Sequence, residues 1–93
     1  MSCDIVIAVW NLKKYTKNCV ESIIKNTDYP YRLILVDNGS LPETRDYLES
    51  LKLDRRLKDH GYTLIRNEEN LGATKALNQG LQVSKGEIGR AHV

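Results

Sequence analysis

The chain has 93 residues, the length of one small domain, and its 41% hydrophobic and 28% charged residues are typical of a globular protein. Its formal net charge of +2 is too small to indicate a nucleic-acid-binding protein. The longest apolar run, Ile5 to Trp10, is far shorter than the roughly 20 residues of a membrane-spanning helix, and no basic start precedes it as in a secretory signal, so we expect a cytoplasmic protein.

The first predicted element is a strand followed by a helix. Asp4 to Trp10 reads D-I-V-I-A-V-W, a continuous run rich in Val and Ile that predicts a central strand ending before Asn11. Apolar residues then recur at helical spacing while lysines occupy the other side, which predicts an amphipathic helix with Thr16 as a possible cap. The apolar positions are Tyr15, Cys19, Val20, Ile23 and Ile24.

The second strand carries the first candidate for a site. Leu33 to Val36 is wholly apolar and stops at Asp37, Asn38 and Gly39, which favour turns. A strand buried on both faces is indicated, and in open α/β sheets ligands bind outside the carboxyl ends of the strands. Asp37 is therefore a candidate ligand contact, although an Asp in this place is as often only a turn former.

Two more helices and one more strand are predicted after this point. Ser40-Leu41-Pro42-Glu43 has the pattern of a capping box with Pro in the first turn, which predicts a helix start. Tyr62 to Arg66 predicts a third short strand. The last helix has small residues at several positions of one face, which allow its backbone to approach a sheet or a ligand closely. That face comprises Ala73, Ala76, Leu77, Gly80 and Leu81.

The element order is β-α-β-α-β-α, and the connections are long enough for right-handed crossovers. We therefore expect a three-layer α/β/α fold with a half-Rossmann-like parallel sheet, in which the first strand neighbours the second and the second neighbours the third.

The sequence excludes two nucleotide-binding classes. The turn after the first strand, Trp10 to Lys14, has no glycine for a dinucleotide, and no G-x-x-x-x-G-K-[ST] phosphate loop occurs. A receiver domain is less favoured, because the third strand ends in Arg66-Asn67 without an acceptor Asp.

Three segments together resemble the family 2 inverting glycosyltransferases of the GT-A fold. They are D-I-V-I-A-V-W-N at residues 4–11, L-I-L-V-D-N-G-S at residues 33–40, and the N-x-G-x-x-x-A-x-N-x-G pattern at residues 70–80, which is followed by S-K-G-E. The resemblance covers residues 4 to about 88 and extends to the nucleotide-binding half of that family, at the N-terminus. It implies transfer of a sugar from a nucleotide-sugar donor, most commonly a UDP-sugar, to an acceptor hydroxyl.

The resemblance also implies roles for individual residues in binding the donor. Val9, Trp10 and Asn11 would flank the base, Asp37 would accept a hydrogen bond from uracil or ribose, Asn70 and Gly72 would form the pocket wall, and Lys75 is a candidate for the diphosphate. Each has a plainer alternative. Trp10 can pack under the first helix, Asn70 can cap a helix, and Lys75 can be a solvated charge.

The chain departs from the family where S-K-G-E would lead into a strand with an Asp-x-Asp motif for Mg or Mn. Here Ile88 to Val93 follows instead, so we expect weak nucleotide binding but no metal site and no catalysis by this chain. We take residues 1–88 as a partial GT-A domain and residues 89–93 as a non-native or disordered tail.

Without a fourth strand, the edge of the first strand would be exposed. This predicts self-association through that edge. The alternative to a nucleotide-sugar-binding fragment is a non-catalytic α/β association module.

Overall fold

The structure of the chain is a computed structural model that describes residues 3–84 in full and residues 87–92 as backbone. Its elements, in chain order, are β1 (Cys3–Val9), α1 (Lys13–Asn26), β2 (Tyr31–Asn38), α2 (Pro42–Ser50), a single 3-10 turn (Leu51–Leu53), α3 (Arg55–Lys58), β3 (Tyr62–Asn67), α4 (Ala73–Val83) and β4 (Glu87–His92). The predicted α/β/α order is confirmed, and the charged segment after α2 contains the 3-10 turn and the short helix α3.

All four strands are parallel, in the spatial order β3-β2-β1-β4. The predicted neighbours, β1 beside β2 and β2 beside β3, are confirmed. In the register, Val9 lies opposite Asp37, and Asp37 lies opposite Arg66. The ends of three strands therefore meet in one row, at the carboxyl edge of the sheet.

Side chains alternate between the two faces of the sheet and form two separate cores. On one face, Ile7 and Val9 of β1 and Leu33 and Leu35 of β2 pack with buried residues of α1, α2 and α3. On the other face, Ala8 and Val36 pack against Ala76 of α4. The sheet is therefore covered on both sides, which explains why its two central strands are apolar at nearly every position.

The small residues of α4 allow it to lie close to the sheet. Gly80 is buried, and a Cβ atom added to it would stand 2.3 Å from Val6 Cγ1, closer than two carbon atoms that are not bonded to each other can approach. The sequence predicted that small residues on one face of this helix let its backbone approach the sheet closely, and this is confirmed at Gly80.

Two predicted helix caps are wrong. Within the described residues, no side chain caps α1 or α2 by a hydrogen bond. Thr16 is buried inside α1 and its hydroxyl donates to Asn11 O at 3.5 Å. Ser40 Oγ accepts a hydrogen bond from Asn11 N at 2.8 Å, so it joins two loops where a capping box was expected.

The chain after α4 also differs from the expectation. Glu87–His92 forms β4, which pairs along β1 in a parallel register from Cys3 to Ala8. The prediction of an exposed β1 edge is therefore wrong, and the self-association expected through that edge loses its structural basis. Residues 89–92 lie within β4, and Val93 lies outside the described residues. The assignment of residues 89–93 to a non-native or disordered tail stays a prediction.

In the described part of the chain, no helix is long and apolar enough to cross a membrane. Cys3 and Cys19 are half-buried free thiols. Burial raises the pKa of the Cys19 thiol above its ordinary value, which favours the unreactive thiol form.

Gly80→Ala tests the contact between α4 and the sheet. Alanine favours a helix over glycine by about 1 kcal/mol, but its methyl group would overlap Val6, and overpacking of a core costs about 1–3 kcal/mol. We expect a net loss of about 1 kcal/mol in the free energy of unfolding, measured by chemical denaturation. The control, Asn78→Ala at an exposed position of the same helix, should be neutral or stabilising. A Gly80→Ala protein more stable than the wild type would contradict the close packing.

Candidate functional site

The candidate site lies where β1, β2 and β3 end. Parallel strands bring their carboxyl ends to the same edge, so the loops at residues 10–12, 39–41 and 68–72 become neighbours. This edge holds most of the residues that the sequence placed at a donor site. Adjacent residues Asp37 and Asn38 of β2 point to opposite faces of the sheet, and each organises a different part of the edge.

Asp37 is a buried carboxylate with one oxygen in use. Its side chain is almost fully buried, with 1% of the residue exposed. Oδ1 accepts a hydrogen bond from Ser40 N at 2.9 Å, which closes the turn after β2. Oδ2 is buried and receives no hydrogen bond from the residues that the structure describes. The turn-forming role is therefore present, but it uses only one of the two carboxylate oxygens.

Arg66 lies beside this carboxylate and was not among the predicted site residues. Its Nε is 3.7 Å from Asp37 Oδ2, and its Nη2 donates to Glu49 Oε1 of α2 at 3.0 Å. The hydrogen bond from Lys52, together with the nearby positive charges, lowers the pKa of Glu49 below its usual range, so Glu49 is ionised at neutral pH. The sequence signal that could have identified Arg66 is its position at the end of β3, since strand ends in a parallel sheet are neighbours.

Asn38 connects β2 to the loop that leads into α4. Its Nδ2 donates to Asn70 Oδ1 at 2.8 Å and to Gly72 O at 3.3 Å. Its Oδ1 accepts from Leu71 N at 2.9 Å and from Asn67 Nδ2 at 3.3 Å. All hydrogen-bonding groups of this buried amide are therefore used. We conclude that Asn38 shapes the β3–α4 loop.

Two glycines let the β2–α2 and β3–α4 loops take their paths. Gly39 has a φ of +84°, and a Cβ there would lie 2.7 Å from the backbone carbon of Glu69, so only glycine lets the two loops touch. Gly72 has a φ of +90°, and no described heavy atom lies within 4 Å of the position of its Cβ. The side of Gly72 on which another residue would carry its Cβ therefore faces open space at the start of α4.

Asn11 connects the β1–α1 loop to the β2–α2 loop. Besides the bond from its N–H to Ser40 Oγ, its Oδ1 accepts from Leu41 N at 2.7 Å. Asn11 and Leu12 both have left-handed backbone conformations, with φ of 55° and 54°. Non-glycine residues rarely adopt this region, so the hydrogen bonds of Asn11 hold the loop in a conformation that it would not favour alone.

The remaining predicted contacts differ in what they can offer a ligand. Trp10 is 49% exposed, so a large part of its ring is not packed in the core. The side chain of Val9 is 1% exposed and belongs to the core, which leaves only its backbone for a base. Asn70 is exposed but its Oδ1 also accepts from Gly72 N at 2.7 Å, and Lys75 is exposed on the first turn of α4. Their contacts with a ligand stay predictions.

At least two cavities border the described residues. One of about 390 Å³ lies between the β1–α1 and β2–α2 loops and includes Asn11, Tyr15 and Leu41 in its lining. The other, of about 490 Å³, lies beside α3 and the start of β3. It is therefore near the amino ends of the strands, whereas Asp37 lies at their carboxyl ends. The chemistry of the strand ends therefore locates the candidate site better than cavity size does.

No group of three or more His, Cys, Asp or Glu side chains in the described part of the chain is arranged to hold a metal ion. The residues described here thus do not fit the divalent cation that the family resemblance implies. No step of a mechanism can be assigned to a metal on these side chains.

Comparison with known proteins identifies the chain's relatives. Residues 4–89 match Glycosyl transferase family 2. Glycosyltransferase GlyG of Streptococcus pneumoniae serotype 4 is 32% identical over 84 residues, covering 90% of this chain and 27% of that protein. Putative glycosyltransferase EpsH of Bacillus subtilis is 30% identical over 86 residues, covering 91% of this chain and 23% of that protein. The chain thus spans about a quarter of the length of these relatives.

Solved structures show the same fold. S. aureus TarS 1-349 in complex with UDP-GlcNAc superimposes with a TM-score of 0.82 at 23% identity, covering 99% of this chain and 26% of that chain. The mannosyltransferase PcManGT from Pyrobaculum calidifontis, in complex with GDP-Man and Mn²⁺, gives a TM-score of 0.80 at 22% identity, covering 92% of this chain and 25% of that chain. The predicted α/β/α class is confirmed by these likenesses.

Asn38→Leu tests the connection between β2 and the β3–α4 loop. Leucine has nearly the same shape, but it leaves the partners of the buried amide without hydrogen bonds from residue 38, which costs about 1–3 kcal/mol. We expect that loss in the free energy of unfolding, with faster hydrogen exchange at the Leu71 amide. Asn18→Leu, at an exposed position of α1, is the control and should change neither. Unchanged exchange at Leu71 would show that Asn38 does not hold the loop.

Proposed function

Because the chain belongs to glycosyl transferase family 2, we propose that its strand-end site binds the nucleotide of a sugar-nucleotide donor, with UDP as the first candidate. The chain spans about a quarter of its relatives, so the sugar, the acceptor and the activity of a whole protein belong to this proposal as well. The proposal depends on Asp37 above all.

The observation that carries the proposal is the unused acceptor of Asp37. Oδ2 is buried at the carboxyl end of a central strand and finds no hydrogen-bond donor in the described residues. Leaving such a buried acceptor without a hydrogen bond is costly, so its presence in the folded protein favours a role in binding a ligand. The N3–H group of uracil is a neutral donor that suits this oxygen. A cytosine ring presents an unprotonated N3 in the same place and would be a poorer partner.

The exposed ring of Trp10 is the second part of the proposed base site. A nucleobase is flat and apolar on its faces, and stacking on an aromatic side chain contributes about 1–3 kcal/mol per base. Trp10 directly precedes Asn11, whose hydrogen bonds to Ser40 and Leu41 hold the loop beside the turn that Asp37 closes. The loop geometry therefore supports a role for Trp10 and Asp37 in the same site.

The burial of Asp37 sets a condition on this binding. A base can reach Oδ2 only after a covering side chain moves. Arg66 is the described side chain with an ion pair to Oδ2, and it makes no hydrogen bond to that oxygen. Its side chain is 36% exposed and is held by Glu49, so a small shift of the guanidinium that keeps the ion pair would open Oδ2 to a base.

The β3–α4 loop supplies the proposed wall of the pocket. Asn38 holds Asn70 and Gly72 in place before any ligand arrives, so the loop loses little conformational freedom on binding. The open space beside Gly72 leaves room for a ligand to lie close to the start of α4. Lys75, one turn further on, is placed to approach a negatively charged diphosphate.

In this proposal the chain binds the donor weakly and does not transfer the sugar by itself. Transfer in this family, as the resemblance implies, needs a cation beside the diphosphate and a base beside the acceptor. The described side chains include no group of three or more His, Cys, Asp or Glu residues that could hold a metal ion. TarS in complex with UDP-GlcNAc supports UDP as the nucleotide to test first.

Titration with UDP, followed by the fluorescence of Trp10, tests the proposal, since Trp10 is the only tryptophan. We expect a saturable change below millimolar UDP and a weaker response to CDP. Asp37→Asn should weaken UDP binding about tenfold or more, because a hydrogen bond to a charged group contributes about 1.5–3 kcal/mol.

Asp46→Asn is the matched control for this titration, because Asp46 is exposed on α2 and should leave the affinity unchanged. No saturable response of the folded wild type to UDP would contradict the proposal. Equal affinities for wild type and Asp37→Asn would remove Asp37 from the site.

A further inference from the structure

We propose that Arg66 is a positioning residue for the nucleotide site, which balances the charge of Asp37 while leaving Oδ2 free to accept a hydrogen bond from the base. This inference rests on the proposed function. It concerns a residue that the family motifs do not include, since Arg66 lies between the second and third matching segments. The argument has three steps, which concern charge, hydrogen bonding and anchoring.

The first step is charge. An ionised carboxylate that is 1% exposed needs a nearby cation, because burial disfavours its charged form. Among the described residues, the ion pair of Asp37 is with Arg66, at 3.7 Å. Glu49 on α2, which also contacts Arg66, is an anion and cannot take over that role. Arg66 is therefore the described side chain whose positive charge balances the carboxylate of Asp37.

The second step is hydrogen bonding. Donor and acceptor atoms of an N–H···O bond lie about 2.7–3.2 Å apart, so the 3.7 Å between Nε and Oδ2 is an ion pair without a hydrogen bond. The backbone of Ser40 takes the other oxygen. The carboxylate thus has its charge balanced and one acceptor unused, which is the state that a neutral N–H donor requires.

The third step is anchoring. The guanidinium is held from the far side by Glu49, whose Oε1 accepts from Nη2 at 3.0 Å, and Glu49 is in turn held by Lys52 Nζ at 2.9 Å. A planar guanidinium can face two carboxylates at once, whereas an ammonium group acts as a single point charge. Glu49 therefore keeps Arg66 near Asp37 without letting it close onto Oδ2.

A plainer role for Arg66 is a surface ion pair with Glu49 alone, which would contribute little to stability and nothing to binding. The two roles differ in one measurable respect. If Arg66 acts through the Asp37 carboxylate, its removal matters only while that carboxylate is present.

A double-mutant cycle tests this dependence, with UDP affinity measured for wild type, Arg66→Gln, Asp37→Asn and the double variant. We expect Arg66→Gln to weaken binding about tenfold in the wild-type background and less than about twofold in the Asp37→Asn background. Arg66→Lys should fall between wild type and Arg66→Gln. Arg45→Gln is the matched control, because Arg45 also lies near Glu49 but has no described contact with Asp37.

Equal weakening by Arg66→Gln in both backgrounds would overturn the inference, since it would place Arg66 in direct contact with the ligand. No weakening in the wild-type background would overturn it too. The same four proteins are compared by urea unfolding, where Arg66→Gln should lower the midpoint only when Asp37 is present.

The binding and unfolding measurements together distinguish a failure of the proposed function from a failure of the inference about Arg66. A wild type that is folded but does not bind UDP overturns the proposed function and with it the nucleotide role of Arg66. A wild type that binds UDP, with no coupling between residues 37 and 66 in either measurement, overturns the inference about Arg66 alone.

Discussion

The structure depends on two buried polar side chains that follow one another at the end of β2. Strand geometry sends Asp37 and Asn38 to opposite faces, where neither can reach water, so each must find partners in the protein. Asn38 binds the β3–α4 loop, and Asp37 binds the turn at Ser40, which in turn binds Asn11 of the first loop. A few hydrogen bonds from adjacent residues thus set the relative positions of all three strand-end loops.

Much of the fold could be predicted because it follows from local patterns. Continuous apolar runs identified the two central strands, and the periodicity of small residues identified the face of α4 that lies against Val6. The helix caps were predicted wrongly because the partner of a polar side chain depends on contacts between distant parts of the chain. Ser40 has the right residue type and position for a cap of α2, but its hydroxyl binds Asn11, a residue 29 positions earlier. Such a partner is visible only once the strands are in register.

The site was predictable in part. The strand-end rule selected Asp37 and the family resemblance selected Trp10, and the structure leaves an acceptor on the first and an exposed ring on the second. It did not select Arg66, because a charged residue at the end of a strand is common and only the pairing of β2 with β3 places it beside Asp37. Val9 was selected as a base contact by the family resemblance, but the alternation of β1 turns its side chain into the core.

The opposite orientations of Asp37 and Asn38 give β2 an unusual intolerance to changes in length. One residue inserted within Tyr31–Asn38 would reverse every later side chain, so that the carboxylate faced the β3–α4 loop and the amide faced Arg66. Neither would then meet a suitable partner. An insertion in residues 27–30, before the strand begins, leaves that alternation unchanged. During evolution, length variation should therefore collect in the connections before β2 and be excluded from the strand itself.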